Sequence, residues 1–580
     1  MTVAKIAQPP PAPAAAPLRL PLIAAVLIAA AAFLAYADSL TVPFLFDDQM
    51  NIVDNPYIRL TRLAPDQLLR AMVQDKNQLR PFSNLTFALD YYFHGLNPRL
   101  MHLENVALHA FSALLLFALL RRLLRGPNAG EERRLTVAAA LAAAAWALSP
   151  AHTQAVTYLV QRQTLMASAF TLASVYCWAR GRTGACKAWF AGAAVAFVAA
   201  AGSKESGFLA PLYWLLLEPL LPGSPARRLR GRTAALGLAA AAAVGLPLLA
   251  ALWLSGMLGG FADLYREQGY GPVARLLTEA RVVISYLITI VLPIPPRLAL
   301  DHEVAVSSGL FHPWTTLPAV LIVLGSAGLA LAQFQRRPAL SVCIAGYLLA
   351  LAPESSIVPV ELMNDHRLYL ASLFVVPPLM ALAALRLPAR PALPLILAVL
   401  VLLGGLTALR NRTWQDPARL WADSAAKSPS LYRPWSNLCG ALTASGEFRA
   451  ALSTCDAAIS RNPPGPMPLI DRGIALMQLG AQDEAGRDFA AAARRWPQSA
   501  PARFNYGAWL FAADRDAEAL AEVSRALELD PFLAPAYLLR ARVHLKLGRP
   551  APARADLALL LRLYPENQEA MRLLEEVGGR

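Results

Sequence analysis

Apolar residues form long blocks over the first two thirds of the chain. Each block is close to twenty residues, the length of helix that crosses the ~30 Å hydrocarbon core of a bilayer. We predict about eleven spanning helices, near 19–37, 104–121, 134–149, 158–179, 185–202, 207–222, 233–256, 316–334, 339–353, 368–386 and 391–409. A further apolar stretch near 278–293 is predicted to be a re-entrant or interfacial helix, with an ordinary twelfth span as the alternative.

Arginine-rich loops between these blocks set the orientation. They lie at 121–134, 179–187, 226–232, 335–338 and 385–390. The positive-inside rule places such loops in the cytoplasm, and all five are inside only if 278–293 does not cross. The N-terminus is then cytoplasmic and the C-terminus lies outside. We interpret the first block as an uncleaved span rather than a signal peptide, preceded by a disordered cytoplasmic tail over 1–17.

Composition agrees with a polytopic membrane protein. The chain is 56% hydrophobic and 16% charged, with a mean hydropathy of +0.41. Soluble domains are nearer a quarter charged. The net charge of +14 is concentrated in the short loops, so we expect membrane lipids as partners and no nucleic acid. The five cysteines form no CxxC pair and no Cys/His cluster, which argues against a structural zinc site.

A helical repeat begins after Arg412. Prolines recur every 34 residues, at Pro429, Pro463, Pro497, Pro531 and Pro565. Small residues recur in the same register at Ala451, Ala485, Ala519 and Ala553. This is the tetratricopeptide pattern. It predicts an α-solenoid over 413–580, with repeats at 432–465, 466–499, 500–533 and 534–567. Such arrays offer a concave face to peptides or proteins, and a purely structural spacer is the alternative.

Cys439 and Cys455 fall on the two helices of the first repeat. A disulfide between them is possible in an oxidising compartment, and two buried thiols are the alternative.

Ionisable residues outside the basic loops gather on the opposite side. We expect the outer loops 38–103 and 257–315, together with the shorter loops 150–157, 203–206 and 354–367, to form a site. Its lining residues are predicted to be Arg80, His102, Asn105, His152, Glu205, Asp301, Asp365 and His366. For any one of these residues, an ordinary structural role is the alternative.

Asp47 and Asp48, in "FDDQMNIVDNP", follow the first apolar block. A carboxylate there suits a general base for an acceptor hydroxyl. The pair would alternatively hold a divalent cation such as Mg²⁺ or Mn²⁺. Arg162, Lys204 and Arg367 are predicted to hold a phosphate or diphosphate. An ion pair of Lys204 with Glu205 is the structural alternative.

The order of these motifs resembles a known family. "FDDQMNIVDNP" is followed by "RPFSNLTFALDYYFHGLNPRLMHLENVALHA", "HTQAV", "KESG", "HRLYLAS" and the repeats. This order is similar to that of the transmembrane and tetratricopeptide-repeat-containing O-mannosyltransferases and their bacterial relatives. Gln154, Ser206 and Asp365 depart from the residues that relatives often carry.

The resemblance implies a GT-C membrane glycosyltransferase domain over 18–412. It implies transfer of mannose or another hexose from a polyprenyl-phosphate carrier to a Ser or Thr hydroxyl of a protein. The enzyme would lie in a bacterial inner membrane, with its repeats in the periplasm. Two alternatives are a membrane-anchored scaffold without enzymatic activity and a GT-C enzyme that modifies a glycolipid.

Overall fold

The computed structural model describes residues 19–73, 80–125, 128–221 and 257–578. The prediction of an all-α chain is confirmed: among these residues the only β element is an isolated bridge between Gly309 and His312. The predicted tail 1–17, the basic loop 226–232 and the predicted span 233–256 lie outside the described residues. The helices are α1 (Arg19–Ala35), α2 (Pro65–Val73), α3 (Pro81–His94), α4 (Pro98–Leu123), α5 (Ala129–Ala147), α6 (Thr153–Thr157), α7 (Arg162–Thr183), α8 (Ala188–Ala201), α9 (Ala210–Leu217), α10 (Met257–Gln268), α11 (Pro272–Val291), α12 (Thr316–Gln333), α13 (Pro338–Leu351), α14 (Leu368–Ala371), α15 (Val376–Arg386), α16 (Ala389–Trp414), α17 (Pro417–Lys427), α18 (Tyr432–Ala444), α19 (Phe448–Ser460), α20 (Met467–Gln478), α21 (Gln482–Arg495), α22 (Ala500–Ala512), α23 (Asp516–Leu529), α24 (Ala534–Lys546), α25 (Pro550–Leu563) and α26 (Gln568–Gly578).

The chain divides into two compact units. The membrane unit comprises Met1–Leu40, Arg99–Leu298 and Ala305–Asn411. The repeat unit comprises Thr41–Pro98, Ala299–Val304 and Arg412–Arg580. The predicted first outer loop, with its acidic pair, therefore belongs largely to the same unit as the repeats.

Four described helices of the membrane unit are long and apolar enough to cross a bilayer: Pro98–Leu123, Thr316–Gln333, Asp365–Arg386 and Arg390–Trp414. A fifth is formed if Ala129–Ala147 and Pro150–Thr157, which meet at a bend of 50°, count as one span. Arg19–Ala35, Ala188–Ala201 and Pro338–Leu351 are shorter apolar helices. The count of eleven spans, and the re-entrant or interfacial character of 278–293, stay predictions.

Local chemistry explains where several helices begin. The side chain of Asn128 accepts a hydrogen bond from the backbone N–H of Glu131, and Glu131 and Glu132 lie in the first turn of α5. Such caps satisfy an otherwise unpaired N–H, and acidic residues favour the positive end of the helix. The core that α5 helps to form contains fully buried Trp146 and Tyr369.

The repeat unit contains the predicted solenoid, whose helix pairs run from α18 to α25. Ala451, Ala485, Ala519 and Ala553, the predicted small positions, are completely buried. This burial explains the choice of residue, because a larger side chain would separate the two helices of a repeat. In the second repeat the turn between helices is made by Gly480 at φ +87°. A side chain at this φ would be strained.

The first outer loop packs against the last repeats within this unit. The Arg59 guanidinium lies over the rings of Tyr91 at 5.2 Å and Tyr564 at 4.8 Å and pairs with Glu566. The hydroxyl of Tyr564 donates to the carbonyl of Asp54 at 3.1 Å. Stacking and hydrogen bonding of this kind hold an arginine in a defined orientation.

Asp471 on α20 predicts a pH dependence of stability. Burial raises the pKa of this carboxyl to about 7, whereas an unfolded Asp titrates near 4. The folded chain therefore binds a proton more tightly, and about 4 kcal/mol of stability is lost as the pH rises from about 4 to about 7. We expect Asp471→Asn to abolish most of this loss. The check is the apparent Tm of the full chain in detergent between pH 5 and pH 8.5, and equal pH profiles for both proteins would contradict it.

Candidate functional site

The acidic pair lies in the repeat unit, on a tight turn that leads into the π-helix Gln49–Val53. The residue before the pair, Phe46, has φ +44°, a strained conformation for a non-glycine residue. Strain of this kind concentrates at functional sites. Asp47 and Asp48, although adjacent, therefore occupy a turn that the surrounding structure holds in place.

The two carboxylates differ in environment. Asp48 is only 1% exposed, and its Oδ2 accepts a hydrogen bond from the N–H of Leu45 at 3.0 Å. Asp47 is half-buried, and its backbone carbonyl accepts a hydrogen bond from the side chain of Asn51 at 2.7 Å. Asp48 thus stabilises the turn, and Asp47 is the more accessible acid.

These carboxylates are a poor fit for a divalent cation. Within the described ranges, no third His, Cys, Asp or Glu joins Asp47 and Asp48 in a group of metal ligands. A hard cation needs several oxygen ligands, and Asp48 is buried against its own turn. The reaction proposed below therefore uses no metal ion, and the binding of Mg²⁺ or Mn²⁺ by this acidic pair stays an untested prediction.

Glu354 forms the centre of a charged cluster in the membrane unit. Its carboxylate pairs with Lys204 at 2.9 Å and with the guanidinium of Arg367, and the imidazole of His366 lies 3.9 Å away. Burial by itself would raise the pKa of Glu354, but the positive charges of Lys204 and Arg367 outweigh it and hold the pKa well below its usual range. Glu354 was not among the site residues predicted from the sequence. Lys204 pairs with Glu354, whereas the ion pair considered from the sequence was between Lys204 and Glu205.

The donors of Arg367 are engaged within its own loop. The guanidinium donates to the carbonyls of Leu362 at 3.0 Å and Glu361 at 2.7 Å, besides its pair with Glu354. Arg367 therefore shapes the segment that precedes α14. The backbone N–H of His366 donates to the side chain of Gln154 at 2.6 Å. The motifs "HTQAV" and "HRLYLAS" consequently meet in space.

Arg162 forms a second cluster in the membrane unit. Its side chain, 1% exposed, pairs with Glu104 at 3.1 Å and donates to Asn105 at 2.9 Å and to the carbonyl of Met101 at 3.1 Å. The predicted site residues Arg162 and Asn105 are thus in direct contact. Glu104, whose side chain is 42% exposed, belongs to this cluster but was not among the predicted site residues.

Lys204 differs from the two arginines in the kind of partner it has: Arg162 and Arg367 both donate to backbone carbonyls, whereas the described contacts of Lys204 are with side chains. An ammonium group has three donors. Those of Lys204 meet Glu354 and the hydroxyl of Thr164 at 3.3 Å, so one donor remains among the described contacts. Because side-chain partners reorient more easily than backbone carbonyls, Lys204 is the best candidate of the three cations for a phosphate oxygen.

Gly207 fixes the backbone next to Lys204. A Cβ on Gly207 would lie 2.2 Å from the backbone of Ala200, at the end of α8. We expect Gly207→Ala to destabilise the membrane unit by about 1–3 kcal/mol, since neither backbone can move freely. The measurement is the apparent Tm in detergent. Gly325→Ala is the matched control, because a Cβ there meets nothing within 4 Å; equal effects of the two substitutions would contradict the prediction.

His152 lies in a buried aromatic cluster. It is fully buried, and its ring contacts Trp146 and Tyr369 with centroids 4.7 Å and 5.0 Å apart. Its Nε2 is 2.8 Å from the hydroxyl of Ser372, to which the Trp146 indole also donates. His152 therefore packs the motif "HTQAV" against the motif "HRLYLAS" and does not contact solvent.

The remaining predicted residues are distributed over both units. Arg80 lies directly before α3. His102 is buried on α4, Glu205 begins the short 3-10 turn Glu205–Leu209, and Asp365 is 3% exposed. Asp301 belongs to the repeat unit, where its carboxylate lies 3.6 Å from Arg433 of the first repeat. Cys439 and Cys455 form a disulfide in the first repeat.

Fold and residues together define a polytopic α-helical membrane protein with a tetratricopeptide solenoid and ordered charged loops. The chain is 32% identical over 146 residues to Protein O-mannosyl-transferase TMTC3 of Mus musculus. It is 34% identical over 143 residues to Tmtc1 of Drosophila melanogaster and 28% identical over 214 residues to TMTC4 of Homo sapiens. The resemblance expected from the motifs is thereby confirmed.

These matches are partial. They cover 24%, 23% and 35% of this chain and 15%, 16% and 26% of the three relatives. No family model matches the chain. Among solved structures, the chain resembles YrrB, described as a TPR protein with an unusual peptide-binding site, at 16% identity and a TM-score of 0.23. That likeness covers 27% of this chain and 81% of YrrB.

Proposed function

We propose that the chain is a membrane glycosyltransferase that moves a hexose, mannose first, from a polyprenyl-phosphate carrier to Ser or Thr hydroxyls of proteins. The observation that carries this proposal is the similarity to relatives named protein O-mannosyl-transferases. Two features support it: the ordered turn at Asp47 and the clustered cations of the membrane unit. We place the reaction on the periplasmic side of a bacterial inner membrane, where the acidic loop and the repeats both belong by the positive-inside rule.

Each group has one role in the proposed reaction. Asp47 accepts the proton of the acceptor hydroxyl as that oxygen attacks the anomeric carbon of the sugar. The bond between the anomeric carbon and the phosphate oxygen breaks, and the lipid phosphate leaves with the electron pair. Lys204 neutralises the charge that develops on this phosphate, through the donor that remains after its bonds to Glu354 and Thr164. Attack from the opposite face inverts the anomeric configuration.

Apolar grooves in the membrane unit suit the lipid part of such a donor. One groove of about 600 Å³ is lined by α1, α5 and α16, and includes Leu27, Leu141 and Val401. A second groove of about 420 Å³ is lined mainly by α4, α7, α9, α13 and α15. Both volumes lie in the range of small-molecule pockets and both linings are apolar. A prenyl chain would bury its surface in either one.

The test is a transfer assay with the full chain in membranes. The donor is polyprenyl-phosphate mannose with a labelled sugar, and the acceptor is the periplasmic protein fraction of a strain that lacks the gene. We expect label in protein, released by β-elimination, and loss of the matching glycopeptides from the deletion strain. Label only in chloroform–methanol extracts would support the glycolipid enzyme instead. If no polyprenyl-phosphate hexose supports transfer, the remaining hypothesis is a membrane-anchored scaffold without enzymatic activity.

A further inference from the structure

A small polar pocket in the repeat unit has no part in the roles assigned above. It has a volume of about 120 Å³ and lies where the segment after the acidic turn meets the end of α25. Three arginines, Arg59, Arg70 and Arg562, line it together with Thr61 and Gln67. We call it the arginine pocket.

All three arginines line the pocket, and few carboxylates balance their positive charge. Glu566 pairs with Arg59, but within the described ranges no carboxylate pairs with Arg70 or Arg562. Both of these arginines are exposed and lie in the last turns of α2 and α25. A cation at a helix C-terminus is favourable by itself. That effect explains each arginine singly, but it does not explain why the two helix ends meet at one pocket with Arg59.

Contacts within the repeat unit hold Arg59 in place: besides its pair with Glu566, its guanidinium donates to the carbonyl of Val53. Its side chain is 4% exposed and is stacked between Tyr91 and Tyr564. The Nε of Arg59 is buried with no hydrogen-bond acceptor among the described residues. Arg59 therefore contributes a positive charge of fixed position to the lining of the pocket.

The other polar groups of the pocket also favour an anion. The Gln67 side-chain oxygen accepts from the backbone N–H of Thr61 at 3.1 Å, and its amide donates to the Thr61 hydroxyl at 3.1 Å. The Thr61 hydroxyl hydrogen is then available to donate. The pocket is well below the volume of ordinary small-molecule sites, so it has room for one carboxylate or phosphate group and not for a lipid-linked sugar.

We propose that the arginine pocket binds the carboxylate of an acidic side chain on the acceptor polypeptide. The pocket is built from the loop that carries Asp47 and from the last repeat, and tetratricopeptide arrays bind extended peptides. Arginine pairs with carboxylates through two parallel hydrogen bonds, so an Asp or Glu at a fixed distance from the modified hydroxyl would set the register of the acceptor. The identity of this peptide as acceptor rests on the proposed function; its binding does not.

The test is peptide binding to the full chain in lipid nanodiscs, with no donor present. A library of 12-residue peptides with a central Thr is selected on the protein at low salt. The selected peptides are then compared with versions in which each Asp or Glu is replaced by Asn or Gln. We expect one acidic position whose neutral version binds at least about tenfold more weakly, and loss of that difference in the double variant Arg70→Gln, Arg562→Gln.

Arg62→Gln is the matched control, because Arg62 lies in the same loop but pairs with Asp66 on the surface at 3.1 Å. It should leave the preference unchanged. Peptides with no acidic preference, or a preference that survives in the double variant, would overturn the proposal. Inorganic phosphate should compete only weakly; tight phosphate binding without acidic preference would show a free-anion site instead. Failure of transfer with intact acidic preference would count against the proposed function alone.

Discussion

Replacing Asp47 by Asn is expected to lower the rate of glycosyl transfer by about 10²- to 10⁴-fold, the usual contribution of a general base. The amide keeps the size of the side chain but has no capacity to take the hydroxyl proton. Asp47 is the half-buried member of the pair, whereas Asp48 is buried against the backbone of Leu45. The measurement is the initial rate of labelled mannose transfer from polyprenyl-phosphate mannose at saturating acceptor.

Two variants control this experiment. Asp66→Asn removes an exposed carboxylate of the same loop and should leave the rate unchanged. Asp48→Asn keeps an oxygen that accepts from Leu45, so we expect a loss of stability of about 1 kcal/mol and a smaller effect on the rate. If Asp48→Asn lowers the transfer rate strongly while Asp47→Asn has a normal rate, Asp48 is the general base and Asp47 is not. Normal rates for both would show that neither acid is the base.

The repeats were predictable because their packing is local. A 34-residue period places one small residue at the closest approach of each helix pair, and the structure buries Ala451 and its three counterparts completely. The ends of the membrane helices were harder to predict, because hydropathy reports how apolar a segment is and not where its helix begins or ends. The predicted span 158–179 became α7, which begins at the buried Arg162. Neighbouring polar groups stabilise the buried Arg162, but hydropathy averaged over a window of sequence does not show them.

The charged clusters show what a linear sequence hides. The basic members, Lys204 and Arg367, were predicted from their place in outer loops. Their shared partner Glu354 was missed, because it lies 150 residues after Lys204 in an otherwise ordinary loop. An isolated acid directly after an apolar block was the available indication. The difference in burial between Asp47 and Asp48 could not be predicted either. Two adjacent aspartates look equivalent in the sequence, and only the folded turn buries one more than the other.

Lys204→Met is expected to lower kcat/KM for the lipid-linked donor by about 10²- to 10³-fold, the range seen when one stabilising donor of a developing oxyanion is lost. Among the described contacts, Lys204 retains a donor for the leaving phosphate after its bonds to Glu354 and Thr164, while Arg367 is engaged by its own loop. Lys204→Arg keeps the charge and should recover part of the loss. The measurement is donor-dependent kinetics in nanodiscs.

A purely structural role for Lys204 would also lower activity, because it would leave Glu354 without one partner of a buried ion pair. Inhibition by the product, polyprenyl phosphate, separates the two roles. If Lys204 binds the leaving phosphate, Lys204→Met should weaken product inhibition at least about tenfold, a change of 1.4 kcal/mol. Arg182→Gln is the matched control, since it breaks another partly buried ion pair of the membrane unit, with Glu218 at 3.0 Å. Unchanged product inhibition in Lys204→Met would assign phosphate binding to another cation.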